Sequence, residues 1–186
     1  MDTKTRASLD NLFSADKEIQ NRAFLDLLEI TEKSVDWAYE VWDEMVASLS
    51  HSDNHVRAIS AQLLCSLAKS DPEKRMLKDF PRLLAVTKDE RFVTARHCLQ
   101  ALWKIGLVGK AQQKLVIDGL AGRFEECITE KNCTLIRYDI IVDFKNLYDQ
   151  VKDEAVKQKA LALIETEEDL KYHKKYASVW KTRKAA

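Results

Sequence analysis

Glycine and proline are scarce in this sequence, since the 186 residues include only four Gly and two Pro. Turns between short strands draw heavily on these two residues, so their scarcity argues against a fold built from β-hairpins. Apolar residues make up 46% of the chain and charged residues 32%, a balance that suits amphipathic helices. The composition therefore excludes an all-β fold and favours an all-α one.

A long apolar run is also missing. No stretch approaches the roughly 18 consecutive apolar residues of a membrane-spanning helix, and the opening Met-Asp-Thr-Lys-Thr-Arg contains no apolar signal-peptide core. We therefore expect a cytoplasmic protein without a membrane segment. Cysteines are few and lie within helical patterns, so we expect reduced, buried thiols and no disulfide framework. They are Cys65, Cys98, Cys127 and Cys133.

The chain carries no excess charge of either sign, because 30 basic and 30 acidic side chains cancel. A net positive field draws many proteins to nucleic acid or anionic membranes, so binding of either would depend on a local patch. Basic residues gather after the last acid, Asp169, where they fit either a solvated last helix or a binding surface. They are Lys171, Lys174, Lys175, Lys181, Arg183 and Lys184.

A repeat of several tens of residues is the strongest pattern in the sequence. Each copy has an anchor residue followed by mostly apolar or small side chains four, five, eight and eleven positions later. These offsets fall on one stripe of a helix that turns about 100° per residue, so each copy predicts a helix with one buried face. The anchors lie 37, 37, 43 and 36 residues apart, at Ile19, Val56, Val93, Ile136 and Tyr172.

The same register extends upstream of the first three anchors, so the repeated unit is a pair of helices. The sequence thus predicts one domain, residues 1–186, of about five antiparallel helix pairs. In the last pair Tyr172, Tyr176 and Trp180 replace aliphatic residues, and we expect this pair to cap the array. The predicted pairs are 4–13 with 16–32, 35–49 with 53–69, 72–87 with 90–106, 110–129 with 133–149, and 152–165 with 167–181.

Acids precede four of the anchors by three residues, a position from which a side chain can accept the first backbone N–H groups of a helix. They are Asp16, Asp53, Glu90 and Asp169. Asp53 begins a run, Asp-Asn-His-Val-Arg, that ends at Arg57 and resembles the second helix of HEAT repeats. A proline inside a first helix, here Pro81, is a further feature of that family.

The resemblance to HEAT repeats covers nearly the whole chain. It implies an all-α fold of the ARM/HEAT type, a right-handed α-solenoid of stacked helix pairs. In that family the acid and the Arg form a hydrogen-bonded ladder between successive repeats. The resemblance would place Asp16, Asp53, Arg57 and Arg137 in such a ladder.

The second helices carry apolar residues on the side opposite their buried stripe, where solvent would be expected. In a right-handed solenoid these helices line the concave side, so the pattern predicts an apolar groove with polar edges. A second interpretation stays open, in which tight curvature buries the same residues between neighbouring helices. The candidate partner-binding residues are Arg22, Leu25, Gln62, Arg96, Leu99, Leu102, Trp103, Tyr138 and Val142.

No catalytic, cofactor or metal motif occurs in the sequence. It contains no HExxH, no GxSxG, no glycine-rich phosphate loop and no nucleotide fingerprint. His51 and His55 straddle a predicted turn and lack a third metal ligand. We therefore expect no cofactor, no metal and no catalytic residue, and predict a non-enzymatic scaffold that binds a protein or peptide in its concave groove.

Nucleic-acid binding is the alternative with the same architecture. HEAT-like DNA-alkylation-repair glycosylases cradle DNA and use an acid among tryptophans, and this chain has Trp37, Trp42 and Trp103. Two observations argue against this alternative. Trp37 and Trp42 share a helical stripe with Val41 and Met45 and are more simply core residues, and a neutral chain lacks the many phosphate contacts of duplex binding.

Overall fold

The computed structural model describes residues 1–181, and within them the chain forms ten α-helices and no strand. The predicted all-α fold is confirmed, and each range predicted to be helical overlaps one of these helices. The helices are α1 (Thr3–Asn11), α2 (Lys17–Ile30), α3 (Ala38–Ser48), α4 (Asn54–Leu67), α5 (Met76–Val86), α6 (Phe92–Leu99), α7 (Lys110–Glu126), α8 (Cys133–Val151), α9 (Glu154–Glu165) and α10 (Leu170–Val179).

Aspartate side chains begin several of the helices. Asp16 and Asp169 each accept hydrogen bonds from two backbone N–H groups, at the starts of α2 and α10, and Asp53 accepts from one, that of His55, at the start of α4. These three caps agree with the sequence analysis. Glu90 does not cap α6, because the chain turns one residue earlier and Asp89 accepts from the backbone N–H of Arg91 at 2.8 Å.

The helices pack in chain order. Each even-numbered helix contacts the next even-numbered one, from α2 through α4, α6 and α8 to α10, and α3, α5, α7 and α9 follow one another in the same way. Contacts between α1 and α2, α3 and α4, α5 and α6, α7 and α8, and α9 and α10 join the two sets. The core runs along this seam and includes the fully buried Trp42, Phe124 and Phe144.

Two of the anchor residues are buried as predicted, and two others are exposed. Val56 and Ile136 are buried as predicted, whereas Ile19 is 45% exposed and Val93 is 64% exposed. In α2 the buried position is the next residue, Gln20, whose side-chain amide donates to the carbonyl of Leu12 at 2.7 Å. A polar side chain with a partner in the neighbouring segment thus takes the place of the apolar anchor in the core, while Ala23 and Leu27 stay buried as the repeat predicts.

Helix α6 behaves in the same way. Thr94 is buried in place of Val93, and its hydroxyl donates to the backbone carbonyl of Asn54 on α4 at 3.2 Å. The helix is also shorter than predicted, because it ends at Leu99 and the chain continues as a 3-10 segment, Leu102–Leu107. This segment packs against α4, α7 and α8, so it occupies the space between helices.

The cysteines divide into two classes. Cys65 and Cys98 are buried free thiols, as expected. Cys127 and Cys133 form a disulfide, so the prediction of four reduced cysteines is wrong. The two residues are six apart, and the turn that joins α7 to α8 brings their Cα atoms to 5.1 Å, a separation that a disulfide can bridge.

Residues 1–181 include no helix that is long and apolar enough to cross a bilayer.

Candidate functional site

The candidate surface is the exposed side of α2, α4, α6, α8 and α10, which we call the even face. Side-chain contacts join these helices across the face. The Arg96 guanidinium on α6 donates to both carboxylate oxygens of Asp139 on α8, at 2.6 and 3.1 Å. The Lys175 ammonium on α10 lies 4.6 Å from the ring centroid of Tyr138 on α8. The face is therefore continuous in structure from α6 to α10.

Seven of the nine predicted partner-binding residues are at least partly exposed. Leu25 is 54% exposed and Arg22 is also exposed, both on α2. The remaining five are half-buried: Gln62, Arg96, Trp103, Tyr138 and Val142.

Leu99 and Leu102 do not line an open groove. They are 1% and 0% exposed, so the prediction that they contribute to a solvent-facing surface is wrong. The physical reason is the break after α6, because the 3-10 segment turns Leu102 towards α7 and α8, where both leucines join the core. Of the predicted aromatic anchors, Trp103 and Tyr138 remain, each packed against the core by part of its ring.

A cleft opens on the even face between α2, α4 and α6. Its volume is about 340 Å³. Apolar side chains contribute to its wall, and amide and basic side chains surround them. The lining residues are Lys17, Gln20, Asn21, Phe24, His55, Ala58, Ile59, Gln62 and His97.

The sequence analysis found only Gln62 among these residues. The repeat pattern places Phe24 and His97 on buried stripes, and the sequence suggests His55 only as a possible metal ligand, together with His51. Their proximity depends on the spacing between helices, which a single helix pattern does not specify. The residues 1–181 contain no group of three His, Cys, Asp or Glu side chains placed to hold a metal ion.

Ion pairs connect successive parts of the array beside this cleft. Lys17 donates to Asp53 at 2.9 Å, and this bond lowers the pKa of the Asp53 carboxyl below its ordinary value. Arg57 makes two hydrogen bonds to Asp89, at 2.6 and 2.9 Å, and Arg137 donates to Glu167 at 2.9 Å.

Three of the four residues assigned to the HEAT-like ladder thus bridge separate parts of the chain: Asp53, Arg57 and Arg137. The repeat pattern alone would pair these residues with one another, but each of them has a different partner. Asp16 instead caps α2 through the backbone N–H groups of Glu18 and Ile19. The acids of these three ion pairs come from the segments between helices.

Acids are distributed unevenly along the chain, although the total charge is zero. None occurs in residues 54–70, 91–117 or 170–186. These runs include all of α4, α6 and α10, and α8 has three acids, of which Asp139 and Asp143 are buried. Among the described residues of these four helices, the one exposed carboxylate is Asp149, near the end of α8. Overall composition conceals this separation because acids elsewhere balance it.

Asp143 is the most unusual charged residue of the fold. Its side chain is 1% exposed, and neither carboxylate oxygen has a hydrogen-bond partner. Burial raises the pKa of this carboxyl well above its ordinary value, and the negative charge of Asp139 adds to the shift. The backbone N–H of Trp103 acts in the opposite direction without reaching hydrogen-bond geometry. The group is closed off from solvent, so it cannot meet a substrate in this conformation.

No family model matches this chain, and no curated protein matches it. It is similar in structure to an engineered protein whose crystal structure was determined by the Northeast Structural Genomics Consortium. The TM-score is 0.52 at 20% sequence identity, over 96% of this chain and 80% of the engineered one. This likeness supports the helical fold and carries no information about function.

Proposed function

We propose that this chain is a HEAT-like scaffold, a right-handed α-solenoid of five antiparallel helix pairs, that binds a segment of another protein along the even face. Support for the architecture comes from the packing in chain order and from ion pairs between separate parts of the array. Arrays of this kind expose a long surface lined by equivalent helices, and they commonly use it for binding.

The observation that carries the proposal is the cleft between α2, α4 and α6. Phe24, Ala58 and Ile59 give it an apolar part, and Gln62 and His97 supply polar groups at its wall. A concave apolar site with a few polar groups is the usual form of a site that receives a side chain of a partner. The exposed Leu25 on α2 extends the apolar surface next to it.

Nucleic-acid binding is the second candidate, and the shortage of exposed acids on α4, α6, α8 and α10 favours it. The cations of the face argue against it. Arg57 holds Asp89, Arg96 holds Asp139 and Lys145 holds Asp149, so these side chains are committed to carboxylates of the same chain. A nucleic acid backbone requires many cations that are available for phosphates. The scaffold proposal therefore accounts for more of the face.

Site-specific photocrosslinking tests the proposal. A photoreactive amino acid in place of Gln62 in the cleft should crosslink to a protein in an extract of the source cell, and nuclease treatment should not remove the product. The control places the same amino acid at Lys78, which is exposed on α5, outside the even face. Equal crosslinking at the two positions, or a product that nuclease destroys, would contradict the proposal. A cytoplasmic location stays a prediction.

A further inference from the structure

The lining of the cleft between α2, α4 and α6 contains no carboxylate. Three of its nine side chains are Lys or His and three are amides, all of which can donate hydrogen bonds. One acid, Asp53, is hydrogen-bonded to residues of the lining. It accepts from the Lys17 ammonium and from the backbone N–H of His55. Lys17 is thus committed to Asp53, and the Gln20 and Gln62 amides donate to the carbonyls of Leu12 and Ala58. The other donors around the apolar centre are Asn21, His55 and His97.

The helices that form the far wall have the same character. Neither α4 nor α6 contains an acid, and residues 54–70 and 91–117 are acid-free throughout. The exposed His55 and His97 lie on these two helices and both line the cleft. A ligand that crosses from α4 to α6 therefore meets the hydrogen-bond donors of His55 and His97 and no acid of these two helices, which favours a ligand that carries carboxylate acceptors.

The dimensions indicate a peptide side chain. A volume of about 340 Å³ lies at the low end of the range for ligand sites, about 300–1,000 Å³. Neighbouring helices are spaced about 8–10 Å apart, so the three helices span roughly 20 Å. An extended peptide covers that distance with about six residues, at about 3.3 Å per residue.

We propose that this cleft binds a short acidic segment of the partner protein, in which one large apolar side chain contacts Phe24 and Ile59 while flanking carboxylates accept hydrogen bonds from His55, His97 and the neighbouring amides. This inference rests on the scaffold function proposed above and adds the chemistry of the partner. An apolar pocket has no role for a sugar-phosphate chain, whereas an acidic peptide with one apolar residue uses both features of the site.

Fluorescence anisotropy with synthetic peptides tests the inference. The probe is a labelled peptide of Asp and Glu with a Phe-Leu pair at its centre. The comparison ligands are the same peptide with Lys in place of every acid, the same peptide with Ser-Ser in place of Phe-Leu, and a single-stranded oligothymidylate. We expect the acidic Phe-Leu peptide to bind the full chain most tightly, with an affinity that falls as salt is added.

The matched protein variants change charge with almost no change in shape. Asn21→Asp with Gln62→Glu places two negative charges in the cleft. Asn11→Asp with Gln158→Glu places the same two changes at exposed positions of α1 and α9. We expect the cleft variant to lose about tenfold in affinity for the acidic peptide, since like charges lie a few ångströms from the ligand's carboxylates, and the control variant to bind as the wild type does.

Each other outcome overturns the inference. Equal binding of the Lys peptide rejects an acidic partner, and equal binding by the cleft variant rejects this site. Tighter binding of the oligothymidylate identifies a nucleic-acid surface. Binding of none of the ligands also rejects the acidic segment, and the crosslink at Gln62 then shows separately whether a protein still docks on this face.

Discussion

A single carboxyl group in the core sets part of the pH dependence of this protein. Asp143 has a raised pKa in the folded chain, because burial penalises its charged form. In the unfolded chain it ionises near the ordinary value of about 3.9. Above that pH the folded state binds more protons than the unfolded state, so the contribution of Asp143 to stability falls as pH rises towards the folded pKa.

Replacing this group by its neutral isostere should therefore stabilise the protein at neutral pH. We expect Asp143→Asn to raise the free energy of unfolding at pH 7 by about 1 kcal/mol or more, and to change it little at pH 4. Urea denaturation at the two pH values measures the difference. Asp10→Asn, at an exposed position of α1, is the control. A loss of stability at pH 7 would show that the carboxylate is ionised and held by partners.

Equivalent positions of successive helices do not have equivalent surroundings. Val56 and Ile19 occupy the same place in the repeat, yet Val56 is 4% exposed and Ile19 is 45% exposed. The difference arises at the first turn of α2, where Gln20 faces inward in place of Ile19, whereas Ala23 and Leu27 are buried as the repeat predicts. Sequence periodicity identifies a helix with a buried stripe but leaves open which of two adjacent residues faces the core.

Replacing each of the two anchors with aspartate tests the difference in their burial. We expect Val56→Asp to destabilise the protein by about 3 kcal/mol or more, because it buries a carboxylate with no partner. Ile19→Asp should cost less than about 1 kcal/mol, since the new side chain reaches solvent. Denaturant melts of the two variants give the comparison directly. Similar losses of stability for both variants would mean that Ile19 is buried as Val56 is.

The pair formed by Arg57 and Asp89 connects α4 to the segment that precedes α6. Both side chains are largely buried, at 12% and 7% exposure. Burial is the largest single effect and raises the pKa of the Asp89 carboxyl, but the hydrogen bonds from Arg57 and from the backbone N–H of Arg91, together with their positive charges, outweigh it, so that the pKa lies below its ordinary value. A lowered pKa means that the stabilisation is present above the unfolded value of about 3.9 and is lost as pH falls towards the folded value.

Removing the Arg57 guanidinium should leave the Asp89 carboxylate without the two hydrogen bonds that Arg57 donates. We expect Arg57→Ala to cost about 1–3 kcal/mol at pH 7, and the loss should diminish as the pH is lowered below about 4. Arg57→Lys keeps the charge but loses the two-point contact, so an intermediate loss is expected. Thermal or urea melts against pH measure both variants. A loss of stability that does not change with pH would instead result from lost packing of the aliphatic part of the Arg57 side chain.

At the scale of the whole molecule, the proposed solenoid makes a prediction about shape. A compact globular chain of this length has a radius of gyration of about 16 Å. Helix pairs stacked in one direction form a longer object, so small-angle X-ray scattering should give a clearly larger value for the monomer. A value of about 16 Å would indicate that the ten helices form a compact bundle instead.

The last helix completes the packing of this array at one end. Tyr176 is fully buried, its hydroxyl donates to the carbonyl of Thr134 at 3.0 Å, and its ring meets the edge of Phe124. Tyr176 thus joins α10 to α7 and α8, and a capping role of the fifth predicted pair stays a prediction. The basic run after Asp169 extends beyond the described residues, since Arg183 and Lys184 lie outside them.

The sequence by itself determined the all-α fold, the approximate place of every described helix and the caps at Asp16, Asp53 and Asp169. Each of these depends on local chemistry, on the period of about 3.6 residues and on backbone groups a few residues away. Only the tertiary structure decided the inward placement of Gln20 and Thr94 and the burial of Leu99 and Leu102. It also decided the cleft between α2, α4 and α6. These features depend on how closely one helix approaches the next, and that distance is set jointly by residues far apart in the chain.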